Sequence, residues 1–248
     1  MNSFEPECIR SQLKEYLQKN DLRSWVTSHV NVECEPFYTS IDLRDATYKL
    51  APVDANMFPA GFNNICSDDL ESSHVIAKPL LLKKMGSIPK RIAILPEAHT
   101  KNKFYADNLY ALRQIFRDLG IETEIGWWNA DALETSSEPV QLLQSTDEPL
   151  TAFPFQIKNR KLVMGAFEPE LVILNKDFSS GYPKALAEIE TPILPSPALG
   201  WHSRKKSNFF RHYNQVALEF ARSAKIDPWH LQVNTTLVSD INFDANEG

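Results

Sequence analysis

The sequence is poor in the residues that announce ready-made chemistry. Its eight glycines are scattered over 248 residues, and none form a dinucleotide-binding G-x-G-x-x-G, a Walker A loop or a G-x-S-x-G elbow. No H-E-x-x-H is present, which excludes a zincin helix. The three cysteines, Cys8, Cys34 and Cys66, are odd in number and far apart. They offer neither a C-x-x-C metal pattern nor a disulfide framework, and a reducing cytoplasm is the expected compartment. Cys34 lies between Glu33 and Glu35, whose charges oppose thiolate formation, so no cysteine nucleophile is expected. No apolar run reaches the roughly 18 residues of a membrane span, so no membrane partner is expected. The first residues, Met1 to Glu7, lack the basic and apolar regions of a signal peptide. Positive charge is in deficit, with 26 Lys and Arg against 32 Asp and Glu and a net charge of −6. That balance argues against a nucleic-acid partner.

What is present is a globular composition, 43% hydrophobic, with enough chain for a substantial core. Residues 6–19 carry Ile9, Leu13, Tyr16 and Leu17 on one helical face, and Asp21 is placed to cap a second short helix. From Phe37 to Leu50 the period changes to two, with Ile41 and Leu43 facing one way and Asp42 and Arg44 the other. Leu50 to Asn64 is apolar but interrupted by Pro52, Pro59 and Gly61, and reads as irregular. Pro79 is expected to break or kink a helix over 72–85. Arg91–Leu95 and Glu170–Leu174 are short runs, apolar after their first residue, that predict buried strands. Phe104–Leu119, ended by Gly120, predicts a helix leading to a strand over 121–127. Residues 128–158 read as irregular, with a hairpin near 153–162. A short helix near 182–189, a strand over 192–195 and a long helix over 207–224 complete the pattern. Alternating strands and helices imply an α/β fold with an open, largely parallel sheet. The chain divides into residues 1–88, an 89–200 βαβ core, and 201–248.

In such sheets ligands bind at the carboxyl ends of strands, which selects the loops 96–102 and 175–181. The first offers Glu97, His99 and Asn102, suited to substrate contact or, for Asn102, helix capping. No third ligand stands at a telling spacing from Glu97 and His99, so no metal site is expected. The second loop offers Asn175 and Asp177 to a ligand amine or hydroxyl. Within 50–64, Asp54, Asn56, Asn63 and Asn64 either satisfy a buried irregular backbone or line a small-molecule pocket. The stretch 200–208 is cationic, with His202, Arg204, Lys205, Lys206 and Asn208 at the start of the long helix. The helix dipole penalises cations there by roughly 0.3–1 kcal/mol each. A bound phosphate or carboxylate would reverse that penalty.

Several of these stretches occur together in one known family. They are Asp-Leu-Arg at 42–44, Leu-Ala-Pro-Val-Asp at 50–54, Phe-Pro-Ala-Gly-Phe-Asn-Asn at 58–64 and Pro-Glu-x-His-Thr-x-Asn at 96–102. Leu-Asn-x-Asp-x-Ser-x-Gly at 174–181, Gly-Trp-His-x-Arg-Lys-x-Ser-Asn at 200–208 and Asp-Pro-Trp at 227–229 follow in order. The chain thereby resembles the proteobacterial glutamate–cysteine ligase family of ATP-grasp-related type, from about residue 42 to 243. The resemblance implies a Rossmann-like, pre-ATP-grasp sheet and ATP-dependent formation of γ-glutamylcysteine from glutamate and cysteine. Arg44 and the 204–206 cluster would hold carboxylate or phosphate, and the Asp, Asn, Glu and His residues named above would line the amino-acid pocket. No catalytic residue is assigned. Family members are considerably longer, and their second half carries the ATP-grasp lysines, glycine-rich loop and magnesium carboxylates. ATP and Mg are therefore expected to be held mainly outside these residues. The chain is then an N-terminal piece of such a ligase, or a non-catalytic amino-acid- or anion-binding module derived from one.

Overall fold

The two apolar-cored runs, Arg91–Pro96 and Leu171–Asn175, are neighbouring parallel strands at the middle of a six-stranded sheet. The structure, a computed structural model, describes residues 7–29, 36–97, 101–128, 138–179 and 181–236. In chain order its helices are α1 (Glu7–Lys19), α2 (Leu22–His29), α3 (Ser67–Met85), α4 (Lys103–Asp118), α5 (Lys184–Ala187) and α6 (Lys206–Ala224). Its strands are β1 (Ser40–Asp45), β2 (Leu50–Asn56), β3 (Arg91–Pro96), β4 (Glu122–Trp127), β5 (Val140–Leu143) and β6 (Pro149–Pro154). They continue with β7 (Gln156–Lys158), β8 (Lys161–Val163), β9 (Leu171–Asn175) and β10 (Ile193–Leu194). The elements form two units interleaved in sequence, one of 36–40 with 56–203, the other of 1–35, 41–55 and 204–248. A linear division at 88 and 200 does not follow those boundaries.

The larger unit is built on the sheet β10-β9-β3-β4-β6-β5, parallel except for β5. The fold is thus α/β with a largely parallel sheet. Period-two alternation sends β3 and β9 side chains to both faces. Ile92, Ile94, Leu171 and Ile173 pack with Leu109, Leu112 and Phe116 of α4, while Ala93, Leu95, Val172 and Leu174 pack with Phe155, Leu162, Phe178 and Leu186. Burial on both faces is why these strands read as unbroken apolar runs. Gly120, at φ 78°, reverses the chain from α4 into β4.

The smaller unit packs α1 against α6 through Ile9, Leu13, Ala217, Phe220 and Ala221. Trp25 of α2 adds an edge-on contact to Phe220 at 5.1 Å. The β1–β2 hairpin is fastened at its turn, where Tyr48 stacks on Trp229 at 5.8 Å and Lys49 Nζ lies 4.4 Å from the same ring.

Three local expectations are corrected. Leu50–Asn56 is a strand, despite Pro52, because a two-stranded sheet leaves outward N–H positions that need no ladder partner. Helix α3 runs unbroken through Pro79. Pro79 and Val75, whose carbonyl loses its partner, both lie on the exposed side, where water replaces the missing bond. The segment 128–158 holds β5 and β6, which extend the sheet beyond β4; the hairpin expected near 153–162 is β7–β8.

Gly126 on β4 has a role the sequence does not advertise. A Cβ built there would lie 1.9 Å from Cε2 and 2.3 Å from Cζ of Phe155, a buried side chain. Gly126→Ala is expected to cost about 1–3 kcal/mol by overpacking. Urea unfolding should show a lower midpoint at unchanged slope; an unchanged midpoint would show that Phe155 moves freely.

Candidate functional site

Register decides which loops meet. Leu95 pairs with Leu174 and Pro96 with Asn175, so the residues after β3 and β9 leave the sheet side by side. The chain continues from β3 through α4 to β4 on one side, and from β9 through α5 to β10 on the other. Such a reversal is the topological switch point of an open α/β sheet, the usual place for a ligand.

Glu97 joins the two loops. Its Oε1 accepts from the Asp177 backbone N–H at 2.7 Å, and its Oε2 accepts from Lys176 Nζ at 3.1 Å. Lys176 Nζ also lies 5.4 Å from the centre of the Phe178 ring. Asp177 Oδ1 accepts from the Trp201 backbone N–H at 3.1 Å, which brings in a third loop. A Cβ at Gly200 would come within 2.9 Å of both Asp177 Oδ1 and His202 Nδ1, so the close approach of this loop depends on glycine. Glu97, Lys176, Asp177 and His202 are thus gathered at one end of the sheet.

Beneath them lies a buried polar network. Asn175, 1% exposed, accepts at Oδ1 from Tyr105 Oη at 3.0 Å and from Asn108 Nδ2 at 3.3 Å. Its Nδ2 donates to the Pro59 carbonyl at 2.7 Å. Asn108 Oδ1 accepts from the backbone N–H of Gly61 and Phe62 at 2.8 and 3.0 Å. Gly61 takes φ 105° to present its N–H in this way. Tyr105 Oη accepts from the Glu97 N–H at 2.8 Å, and Tyr38 Oη donates to the Leu174 carbonyl at 2.5 Å. The irregular segment after β2 therefore hangs on side chains of α4 and β9. Asn175 is buried, with both its amide oxygen and its amide nitrogen hydrogen-bonded to groups of the scaffold. Asn102 caps α4, accepting from the Tyr105 N–H at 3.2 Å. Asn56 is half-buried at the end of β2, and Asn63 and Asn64 are exposed on the 3-10 turn Phe62–Asn64. His99 lies outside the described residues.

The remaining candidates belong to the smaller unit. Lys206 Nζ pairs with Asp54 Oδ1 at 3.1 Å, and Arg204 donates from one Nη to the Ala55 carbonyl at 2.8 Å. Both tie the start of α6 to β2. Lys205 is the N-cap residue of α6, whose first turn holds no acid. Lys205, Asn208 and Arg44 are exposed. Among the described residues no group of three or more His, Cys, Asp or Glu side chains is arranged to hold a metal ion. A cleft of about 270 Å³ lined by Arg91, Lys161, Glu168 and Glu170 lies at the amino ends of β3 and β9, the end opposite the cluster.

Sequence reasoning missed Tyr105, Asn108 and Lys176. Tyr105 and Asn108 share the stripe of Leu109 and Leu112 on α4. A polar residue on a buried helical stripe was the available signal. Lys176 stands between two residues that were identified, and only the contact with Glu97 distinguishes it.

Burial pushes the Tyr38 and Tyr105 phenols above their ordinary range. The folded state thus favours the protonated form of both. Their contribution is complete below about pH 10 and is lost as pH rises beyond it, by up to about 1.4 kcal/mol per pH unit for each phenol. Unfolding free energies measured across that range should fall steeply for the native chain and less steeply for Tyr105→Phe. Equal slopes would show that Tyr105 ionises freely in the fold.

With this geometry in place, similarity to known proteins is informative. Residues 14–248 match the model of the family described as GshA, glutamate-cysteine ligase. A solved structure assigned as a gamma-glutamylcysteine synthetase, from Methylobacillus flagellatus KT, superposes with a TM-score of 0.79 at 35% identity. The match covers 91% of this chain and 51% of that one, so the chain spans about half the length of this relative. No protein with a curated description matches. No helix among the described residues is long and apolar enough to cross a membrane. A family match over nearly the whole chain, with a sheet that superposes on that of a solved relative, shows that the chain belongs to the glutamate–cysteine ligase family.

Proposed function

We propose that this chain is the substrate-side part of an ATP-dependent glutamate–cysteine ligase in glutathione biosynthesis. In that reaction the γ-carboxylate of glutamate attacks the γ-phosphorus of ATP, releasing ADP and forming an acyl phosphate. The cysteine amine then attacks the acyl carbon, loses a proton and expels inorganic phosphate, leaving γ-glutamylcysteine. The observation that carries the reading is the family match across residues 14–248. Support comes from the polar cluster at the switch point, which offers a carboxylate, Asp177, and an ammonium, Lys176, within one short loop. Opposite charges in one loop suit an α-amino acid, whose own ammonium and carboxylate they complement. Glu97 holds that loop in place and is a positioning residue.

In the smaller unit the start of α6 suits an anion. Lys205 stands at an N-terminus with unopposed backbone N–H groups and no acid in the first turn. Asp54 and the Ala55 carbonyl hold Lys206 and Arg204 on either side of it, with Lys206 already charge-compensated. Phosphate groups of ATP, or a substrate carboxylate, fit Lys205 and the N–H groups of the helix start. The described residues offer no magnesium cluster of their own, and Mg would be supplied with the nucleotide and held mainly by parts of the longer enzyme. Catalysis of this kind rests on positioning and charge stabilisation more than on a nucleophilic side chain. A second reading is a non-catalytic module that binds an amino acid or anion at the same groups.

Two measurements test this. Lys205→Ala, which removes an exposed cation and no internal contact among those described, should weaken binding of ATP or a carboxylate substrate about tenfold in titration calorimetry; unchanged affinity for both would remove the anion assignment. ADP release from MgATP by the 248-residue chain, with and without glutamate and cysteine, is the second test. Release that needs both amino acids would make these residues a ligase by themselves and overturn both readings. Without release, the same assay on a chain extended past Gly248 separates them: release there selects the ligase part, and none selects the module.

A further inference from the structure

The indole of Trp128 is a donor that the fold leaves unused. Its Nε1 is shielded from solvent and meets no acceptor among the described residues. An indole N–H can only donate, so what it lacks is an acceptor oxygen. Buried donors are nearly always matched, and one that is not asks for a reason. Packing does not supply it, since the ring lies against the cluster of Leu95, Phe155, Leu174 and Phe178 whether or not its N–H is paired.

Register locates this donor. On β4, Ile125 and Trp127 pack on the α4 side of the sheet, whereas a Cβ at Gly126 would meet Phe155 on the other side. Trp128 follows Gly126 by two residues and shares its face. Leu95 and Leu174 lie on that face too, and Glu97 and Lys176 follow them by two. Ile94 pairs with Ile125, and Pro96 with Asn175. Counted on, the same register lines up Lys176, Glu97 and Trp128 at the ends of β9, β3 and β4, three adjacent strands. The 3.1 Å contact from Lys176 Nζ to Glu97 Oε2 is made between two members of that row. Both Glu97 oxygens are engaged by the β9 loop, on the side away from β4. Trp128 thus brings an unmatched donor to the polar cluster at the switch point.

We propose that Trp128 Nε1–H donates to the α-carboxylate of the amino-acid substrate at this site. The assignment rests on the ligase reading. There the γ-carboxylate of glutamate is the nucleophile, and a hydrogen bond to it would withdraw electron density that the attack requires. The α-carboxylate forms and breaks no bond, so it is the group to anchor. A neutral donor suits it, because the bond to an ionised oxygen is charge-assisted without a second cation. Binding then supplies the acceptor that the chain itself does not.

With nitrogen-15 in its indoles, the 248-residue chain gives one Nε1–H resonance for each of its five tryptophans. Trp128→Phe identifies the relevant one by its disappearance. L-Glutamate or L-cysteine should move that resonance downfield. γ-Aminobutyrate and cysteamine, which lack the α-carboxylate, should leave it in place. Benzothienylalanine at position 128 replaces the N–H by sulfur in a ring of nearly equal size. In titration calorimetry it should weaken the amino acid that moves the resonance about tenfold. A resonance that stays put while either amino acid binds overturns this assignment and leaves the ligase reading standing. So does an equal shift with the two analogues, or full affinity with benzothienylalanine. Binding of neither amino acid overturns both.

Discussion

The amide of Asn175 is the point on which the larger unit depends. It is buried at the end of a central strand, where an unmatched amide would cost more than most single contacts contribute. Its bonds reach two distant parts of the chain: Tyr105 and Asn108 on α4, and the Pro59 carbonyl in the irregular segment. These partners are themselves committed elsewhere. Asn108 holds Gly61 and Phe62, while Tyr105 holds the Glu97 backbone. A buried polar network with every member engaged specifies a single arrangement, because partial versions leave uncompensated groups behind. The loops at the switch point stand on this rigid base.

Much of the α/β pattern was legible because both strands that carry the site are buried on two faces and α4 is strongly two-sided. The loops were legible by position, since strand ends in parallel sheets are where ligands sit. The polar base was not. Asn108 and Tyr105 look like interruptions of an apolar stripe, and nothing in their spacing announces that Asn175, distant in sequence, is opposite. Asn175 was recognised as part of the site region, but sequence cannot separate an amide that faces a ligand from one that faces the scaffold. The strand at Leu50–Asn56 was hidden by Pro52, whose tolerance depends on which side of a hairpin lacks a neighbour. The helix through Pro79 was hidden for a related reason: the cost of the missing bond depends on whether water reaches the abandoned carbonyl.

The basic stretch before α6 shows how charge counted along a sequence overstates charge offered to a ligand. Arg204 is drawn to the Ala55 carbonyl and Lys206 to Asp54. Those contacts fasten the helix start to β2 and fix the direction of each side chain. Lys205, between them, is exposed at the N-cap position. An alternation of fastened and projecting cations is what a surface needs in order to hold an anion without rearranging.

The pairing of β3 with β9 joins residues as far apart in sequence as Ile92 and Leu171. Parallel strands so separated meet only after the intervening chain has been confined, and the loss of loop entropy precedes the gain from contact. Glu97 and Asp177 therefore come together late in folding, after α4 and the β5–β6 hairpin have local reasons to form. Two consequences follow for the chain's life before it is native. Its central strands, apolar on both faces, spend longest without their neighbours and are most open to mispairing. The cluster at the switch point, in turn, exists only once the sheet is closed, because its members arrive from loops that only the β3–β9 pairing sets side by side.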